Sequence, residues 1–270
     1  MSITTADGWF AAAKQAILIQ KTVALTTVAA QPFSMWAATG QPGAGTLALS
    51  NTTSGILFDD TYAGAPSVNS FGGGATGYLS MAQFRNSVTG AAMLYDRLWG
   101  AGAVSMTTLA TTNFSGQPSY TGRIPGGTDY GNLEILLEIT TTVSATATTV
   151  SVGYTNSVGT TGQSTGASAS LSGIITPQII RLPLQAGDQG VQQITSVTVG
   201  GTVATVGAFN VIVARRLATF DARVVNGSDL QGWDVIGSPV VYSTSCFWLV
   251  CQPDSTSSGT PTCYFNVING

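Results

Sequence analysis

The segment LEILLEIT, residues 133–140, repeats its side-chain character every second position. All four odd-numbered positions are Leu or Ile, whereas Glu134 and Glu138 stand at even-numbered ones. Successive side chains of an extended strand point to opposite faces, while a helix would need apolar residues three or four positions apart. This spacing predicts a half-buried β-strand, and so directs the chain toward a sheet fold.

The same alternation recurs further along the chain. In VSVGYT, Val150, Val152 and Tyr154 alternate with small polar residues, so this stretch predicts a strand, and the Gly/Ser/Thr run that follows to Gly166 predicts a turn or exposed loop. Four more segments have strand character: SVTVGG, GAFNVIVAR, STSCFWLVC and CYFNVI. In the second of them we expect a buried face formed by Phe209, Val211 and Val213.

Short β-branched segments separated by Gly and Pro, with almost no helical pattern after residue 25, predict a mainly β chain with an antiparallel β-sandwich or jelly-roll-like core. We divide the chain into four parts. They are an N-terminal helix or arm at 1–30, a loop-rich β region at 31–90, the β-sandwich core at 91–220, and a C-terminal β segment at 221–270 that packs on the core.

The N-terminal part predicts a short helix from Gly8 to about Gln20, with Phe10 and Ile17 on one stripe. Thr4 and Asp7 precede it at the spacing of a capping box. Two interpretations remain open. The helix packs on its own domain, or it is an arm that reaches a neighbouring subunit through Phe10 and Ile17.

Charge is scarce in this chain. Only 8% of its 270 residues are Asp, Glu, Lys or Arg, against about 25% in ordinary soluble domains. With 44% apolar residues and a net charge of −3, the chain should fold, yet little charge keeps one copy from another. This balance indicates a surface covered by partners, with a low-charge secreted protein as the alternative.

We find no signal-peptide pattern and no membrane-length apolar run, since Lys14 and Lys21 interrupt the N-terminal apolar stretch. Three cysteines, Cys246, Cys251 and Cys263, are too few for a disulfide framework. We expect synthesis in a reducing cytoplasm and no contact with a membrane. The cysteines are expected to be free buried thiols or to form one cross-strand disulfide that includes Cys263.

The residue inventory limits the chemistry. The chain has no histidine, so it cannot assemble a Ser-His-Asp or Cys-His nucleophile system or a histidine-containing zinc site. Its glycine-rich segments lack the residues of a phosphate or dinucleotide loop, and we predict no cofactor and no metal. Nine basic residues against twelve acidic ones, with only Arg215 and Arg216 adjacent, form no basic stripe for nucleic acid. We expect this doublet to close a strand that ends at Val213, either in solvent or in a salt bridge to a neighbour.

One segment, LYDRLWG, carries charges where its surroundings do not. On a strand, Tyr95, Arg97 and Trp99 share a face, and these are residue types enriched in protein contacts. They are our candidate interaction residues. The alternative is that Tyr95 and Trp99 belong to the core while Arg97 reaches solvent.

Five segments between residues 94 and 218 follow one another in a characteristic order: LYDRLWG, LEILLEIT, VSVGYTNSVGTTGQST, LPLQAGDQGVQQITSVTV and GAFNVIVARRLA. In this order they resemble a group of virion structural proteins of tailed bacteriophages, which are encoded among head genes and associate with the capsid exterior. The resemblance implies a β-rich, non-enzymatic component of the particle, such as a capsid decoration (cement) protein or a head fibre.

The resemblance further implies that the partners are the major capsid protein and other copies of this chain, with a trimer as the expected oligomer. Two alternatives are a tail or head-to-tail adaptor protein and a tail spike that binds or cleaves glycans. The spike would use aromatic side chains as a platform for sugar rings, and Trp233, Tyr242 and Trp248 are the candidates. The alternative, which we favour, is that these three side chains belong to the core.

Overall fold

The computed structural model describes residues 5–12, 14–71 and 76–269, and in the first helix it describes only the backbone of Ala6 and Phe10. The elements in chain order are α1 (Ala6–Ala11), β1 (Lys14–Lys21), β2 (Phe33–Ser34), β3 (Gly40–Gln41), β4 (Ile56–Leu57), β5 (Gly77–Arg85), β6 (Gly90–Ser105), β7 (Thr111–Asn113), β8 (Leu133–Thr141), β9 (Thr148–Asn156), β10 (Gln163–Ser164), β11 (Ile179–Leu182), β12 (Val191–Gly201), β13 (Ala208–Ala222), β14 (Ser228–Gly232), α2 (Trp233–Ile236), β15 (Val240–Val241), β16 (Phe247–Pro253) and β17 (Thr262–Asn269). Two short 3₁₀ turns, Thr121–Arg123 and Pro125–Gly127, precede β8.

The prediction of a mainly β chain with an antiparallel sandwich core is confirmed, since strands far outnumber helices among the described elements and all the pairs of these strands are antiparallel. LEILLEIT lies in β8, VSVGYT lies in β9, and the Gly/Ser/Thr run after it is a turn followed by the two-residue β10. Phe209, Val211 and Val213 of β13 are all fully buried, as expected.

The N-terminal helix is much shorter than predicted. It covers six residues and is capped by Thr5, whose Oγ1 accepts a 3.0 Å hydrogen bond from the backbone N–H of Gly8. The predicted helix therefore ends early, because residues 14–21 alternate with the period of a strand: Ile17 and Ile19 are buried and lie opposite Phe265 and Cys263 of β17. Pairing along a whole strand outweighed the weak helical preference of this segment.

The chain forms two compact units. Unit 1 contains residues 1–45, 59–96 and 217–270, and unit 2 contains residues 46–58 and 97–216. The boundaries fall inside β6, between Asp96 and Arg97, and inside β13, between Arg216 and Leu217, so each of these strands contributes residues to both units.

Unit 1 is a sandwich of two layers. One layer is the six-stranded sheet with the order β14-β5-β17-β1-β3, in which β15 also pairs with β5. In the other layer β16 pairs with the first half of β6 on one side and with β2 on the other. The layers meet through aromatic contacts: the ring centroids of Phe247 and Phe265 are 4.7 Å apart, and those of Phe84 and Phe220 are 5.7 Å apart.

Unit 2 is also a sandwich. Its first sheet has the order β10-β9-β12-β7, and its second contains β11, β8, β13 and the second half of β6, with β4 along the edge of β6. The facing sides of these sheets supply an extensive apolar core, in which Val152 and Tyr154 of β9 belong to the same cluster as Ile135 and Leu137 of β8.

Strand β8 is buried on both faces rather than half-buried as predicted. The loop segment 46–58 reaches this face of the sheet through the neighbouring strand β13, because Asn210 Nδ2 donates both to Glu138 Oε2 at 3.1 Å and to the Leu47 carbonyl at 2.6 Å. The segment also packs on β6, where a Cβ added at Gly100 would lie 2.7 Å from Phe58 Cε2 and 3.1 Å from Leu49 Cδ1. Glu134, Leu136 and Glu138 therefore face protein and not solvent.

Candidate interaction surface

LYDRLWG lies within β6 as a strand, but the face predicted to contact a partner is interior. Tyr95 is 3% exposed, and Arg97 and Trp99 are fully buried. Tyr95 packs on Trp248, with ring centroids 5.7 Å apart, and Trp99 donates its indole N–H to the Ser54 carbonyl at 3.1 Å. A partner protein cannot reach these side chains, so this strand is core, and Arg97 does not extend to solvent either.

Arg97 is held by a buried ion pair with Glu138. Its Nη2 lies 2.7 Å from Glu138 Oε2, and its guanidinium carbon is 4.2 Å from the centroid of the Phe58 ring. Asn210 connects this pair to the covering loop, since its Nδ2 donates to Glu138 Oε2 at 3.1 Å and to the Leu47 carbonyl at 2.6 Å. The pair joins β6 to β8, and Phe58 and Leu47 add segment 46–58 to the same network.

Of the two adjacent arginines, Arg216 has a structural role within the chain. We predicted that the strand they close would end at Val213. Strand β13 instead continues to Ala222. Arg216 Nη2 lies 2.5 Å from Glu134 Oε1, and Arg181 Nε lies 3.3 Å from the other oxygen of the same carboxylate. The salt bridge expected with a neighbour is therefore made inside unit 2.

The three cysteines are free and buried. Burial raises the pKa of Cys251 and of Cys263 far above the usual range of a thiol, so neither is a thiolate near neutral pH. Within residues 5–12, 14–71 and 76–269 we find no group of three Cys, Asp or Glu side chains placed to hold a metal ion. The helices in the same ranges are too short to cross a bilayer.

Unit 1 contains a small cavity of about 10 Å³ beside Lys21, lined in part by Trp36, Phe247 and Trp248. Lys21 is 2% exposed and donates from Nζ to the Pro42 carbonyl at 2.9 Å. Burial lowers the pKa of Lys21 to about 8. The cavity has room for no more than a water molecule, so it does not form a substrate site.

A stretch of exposed apolar side chains follows β13. We call it the 224–235 surface, and it consists of Val224, Val225, Leu230, Trp233 and Val235. Leu230 is 60% exposed, Trp233 is 57% exposed and Val235 is 67% exposed. Large apolar side chains this exposed within twelve consecutive residues make this stretch a candidate contact surface.

Aromatic side chains extend this surface toward the N-terminal helix. The ring centroid of Trp9, in α1, lies 6.3 Å from that of Trp233 and 6.2 Å from that of Tyr78. The helix therefore packs on its own unit next to the 224–235 surface. Ile17 is core, and the side chain of Phe10, the other residue predicted for an arm, lies outside the described part of the structure.

Strand β14 places the centre of the surface at a sheet edge. It is the terminal strand of the six-stranded sheet and pairs with β5, with Leu230 opposite Gln83. Asp229 Oδ2 accepts a 3.0 Å hydrogen bond from the Asp221 N–H, and Gln231 Nε2 donates to the Thr219 carbonyl at 2.7 Å. Residues 229 and 231 thus point toward β13, and Leu230, of opposite parity, points outward.

The predicted sugar platform is not assembled. Trp248 is 1% exposed and donates its indole N–H to Ser34 Oγ at 2.9 Å, so its ring is inaccessible to a glycan. Trp233 is exposed, and its described ring neighbour is Trp9. The sequence did hold a signal for the surface that we missed: Asn226-Gly227 is a turn pair, and exposed apolar residues flank it on both sides.

No family model and no curated protein matches this chain. Among solved structures it is similar to the VP2 subviral particle of infectious bursal disease virus, at 11% identity and a TM-score of 0.19, over 95% of this chain and 79% of that one. It is likewise similar to the T13 particle of the same virus, at 9% identity and a TM-score of 0.19, over 96% of this chain and 77% of that one.

Proposed function

We propose that this chain is a non-enzymatic structural subunit of a virus particle. The observation that supports the proposal best is the 224–235 surface, because a chain with so few charges needs an apolar area of this kind to be covered. An assembled shell covers such areas in every copy, and repeated burial over a symmetric lattice holds the subunits in place.

In finer terms, we propose a decoration protein of a tailed bacteriophage that binds the capsid exterior and stabilises the junctions between capsomers. Its partners are the major capsid protein and further copies of itself. Burial of Arg97, Glu138 and Glu134 in ion pairs supports a non-enzymatic role, because these groups are used to hold strands together. We propose that the N-terminal helix and the loop-rich region to about Gly77 contact the shell or a neighbouring copy.

Binding to undecorated phage heads tests this proposal. We would mix the purified chain with heads, pellet the heads and count the bound copies by quantitative densitometry. A decoration protein saturates at a number on the order of hundreds per head, in proportion to the capsomers. Binding of a dozen copies or fewer would instead favour the tail or adaptor role, and absence of binding would contradict a capsid role.

Shell contact by the N-terminal part needs a deletion that leaves the fold intact. Removing residues 1–30 would delete β1, which lies between β17 and β3, and would unfold the sheet. Removing residues 1–12 takes away only α1 and the residues before β1. We expect this shorter deletion to reduce occupancy on heads, and full occupancy would show that the helix does not contact the shell.

A further inference from the structure

We propose that β14 pairs with β14 of a second copy of this chain across a two-fold axis, so that the 224–235 surfaces of the two copies cover each other. This inference rests on the proposed function in one respect, namely that the surface is covered in the particle. It goes further by naming what covers it. An edge strand carries main-chain groups able to pair with another strand, and proteins usually protect such an edge.

Apart from Asp229, which points inward to β13, nothing in the sequence of β14 protects this edge. Edge strands in monomeric proteins commonly carry Lys, Pro or a bulge on the outward side, yet the outward residue at the centre of β14 is Leu230. The strand contains no Lys, Arg or Pro. An exposed leucine at the centre of an open edge favours a partner strand over solvent.

The sequence of β14 is compatible with antiparallel pairing between two copies of the same strand. If the two-fold axis passes through the Leu230 pair, all five residues of the strand find a partner: Leu230 faces its counterpart, Asp229 faces Gln231 and Ser228 faces Gly232. An axis at residue 229 would place two Asp229 carboxylates opposite each other, which is destabilising. The strand therefore favours a single register, in which a carboxylate lies opposite an amide.

The area of the surface approaches what a specific contact needs. The exposed fractions of the five residues correspond to roughly 500 Å² of surface per copy, within the range of the largest apolar patches on monomers. Complete burial of both surfaces would cover about 1,000 Å², an upper value that equals the lower bound for a specific interface, and the main-chain hydrogen bonds of the strand pair add to it. Trp233, an aromatic residue of the kind that dominates contact energies, adjoins the strand pair.

The first test measures self-association of the full chain without phage heads. Sedimentation equilibrium should give a species of twice 27.6 kDa at micromolar concentration. Leu230→Lys places a charge at the centre of the contact, and it should raise the dimer Kd at least tenfold. Leu109→Lys is the matched control, because Leu109 is 47% exposed in a loop of unit 2 and should leave the Kd unchanged.

The second test reports the register. In the proposed pairing the two Leu230 Cα atoms lie about 4.5 to 5.5 Å apart, within reach of a disulfide. The two Ser228 positions are displaced by four residues along the strands, about 13 Å, and cannot be bridged. Mild oxidation should thus cross-link Leu230→Cys but not Ser228→Cys, and the native cysteines are buried and do not interfere.

Several results would overturn the inference. A chain that is monomeric at 100 µM would do so, as would equal changes in the dimer Kd for Leu230→Lys and Leu109→Lys. Equal cross-linking of Ser228→Cys and Leu230→Cys, or a trimer that Leu230→Cys does not cross-link, would also contradict it. Circular dichroism of each variant shows whether it is folded. A monomer that still binds heads would refute β14 pairing and leave the proposed function intact. A dimer that forms through β14 but does not bind heads would support the pairing and contradict the proposed function.

Discussion

The guanidinium of Arg97 donates to both oxygens of the Glu138 carboxylate, at 3.3 Å from Nη1 to Oε1 and 2.7 Å from Nη2 to Oε2, with both side chains fully buried. Two charges removed from water are tolerated only because each compensates the other and because Asn210 also donates to the carboxylate. The pair thus behaves as a single structural unit.

Breaking this unit should be costly. Arg97→Met leaves the Glu138 carboxylate buried without its cation, and we expect the free energy of unfolding to fall by about 3–5 kcal/mol. Urea denaturation followed by tryptophan fluorescence measures the change. In the double variant Arg97→Met/Glu138→Leu much of the loss should be recovered, because no uncompensated charge remains. Arg223→Ala, at an exposed pair with Asp221, is the control and should have no measurable effect.

Gly55 tests how tightly segment 46–58 packs. Its φ is +68°, and an added Cβ would collide with the indole ring of Trp99. We expect Gly55→Ala to lower the free energy of unfolding by at least about 2 kcal/mol, from backbone strain together with overpacking. Gly116→Ala separates the two causes, since Gly116 has a φ of +65° and no atom within 4 Å of the added Cβ. If both variants lose the same stability, the contact with Trp99 contributes nothing.

Lys21 should make stability depend on pH above neutrality. Its pKa is lowered by burial to about 8 in the folded chain and returns to about 10.5 on unfolding. Between these values the unfolded chain binds more protons, so the contribution of Lys21 to the free energy of unfolding rises with pH. Thiols and tyrosines titrate in the same window, so we would compare urea midpoints of the natural chain and Lys21→Met at pH 7, 8, 9 and 10. The difference between them should shift in favour of the natural chain as pH rises, and a constant difference would contradict the burial of this ammonium group.

Tyr154 anchors the loop that follows β11. Its hydroxyl donates to Asp188 Oδ2 at 2.7 Å and accepts from the Gln185 N–H at 2.7 Å. Burial, together with the hydrogen bond to Asp188, raises the pKa of Tyr154 to about 12. Tyr154→Phe should cost about 1–3 kcal/mol of unfolding free energy, because a charged acceptor loses its donor. Spectrophotometric titration at 295 nm should show one tyrosine fewer ionising near pH 12, and an unchanged curve would mean that Tyr154 titrates elsewhere.

The local pattern of the sequence predicted the strands well, but it predicted poorly which other segments pack on each strand. Alternation identified β8 and β9, because the two faces of a strand differ wherever one of them is buried. It could not show that segment 46–58 would reach the second face of the sheet that contains β8, since the hydrogen bonds of Leu47 and Leu49 with Asn210 join residues 163 and 161 positions apart. For the same reason Tyr95, Arg97 and Trp99 suggested a partner surface, although their composition suits a buried ion pair and aromatic core equally well.

The helix prediction failed for a related reason. Residues 14–21 contain apolar side chains at spacings compatible with both a helix and a strand, and pairing with β17, at the other end of the sequence, determined the outcome. The 224–235 surface could in principle have been predicted from the sequence, because the Asn-Gly turn and its apolar flanks are local features. Their exposure became evident only when β14 was placed at the edge of its sheet.

The antiparallel pairing of β1 with β17, in which Lys14 lies opposite Ile268, has a consequence for biosynthesis. Strand β17 fills the position between β1 and β5, so the six-stranded sheet cannot close until β17 has left the ribosome. A chain that stops before β17 leaves β1 and β5 with open edges and exposes the Ile17 and Ile19 side chains. Such a product would thus be prone to aggregate through these strands.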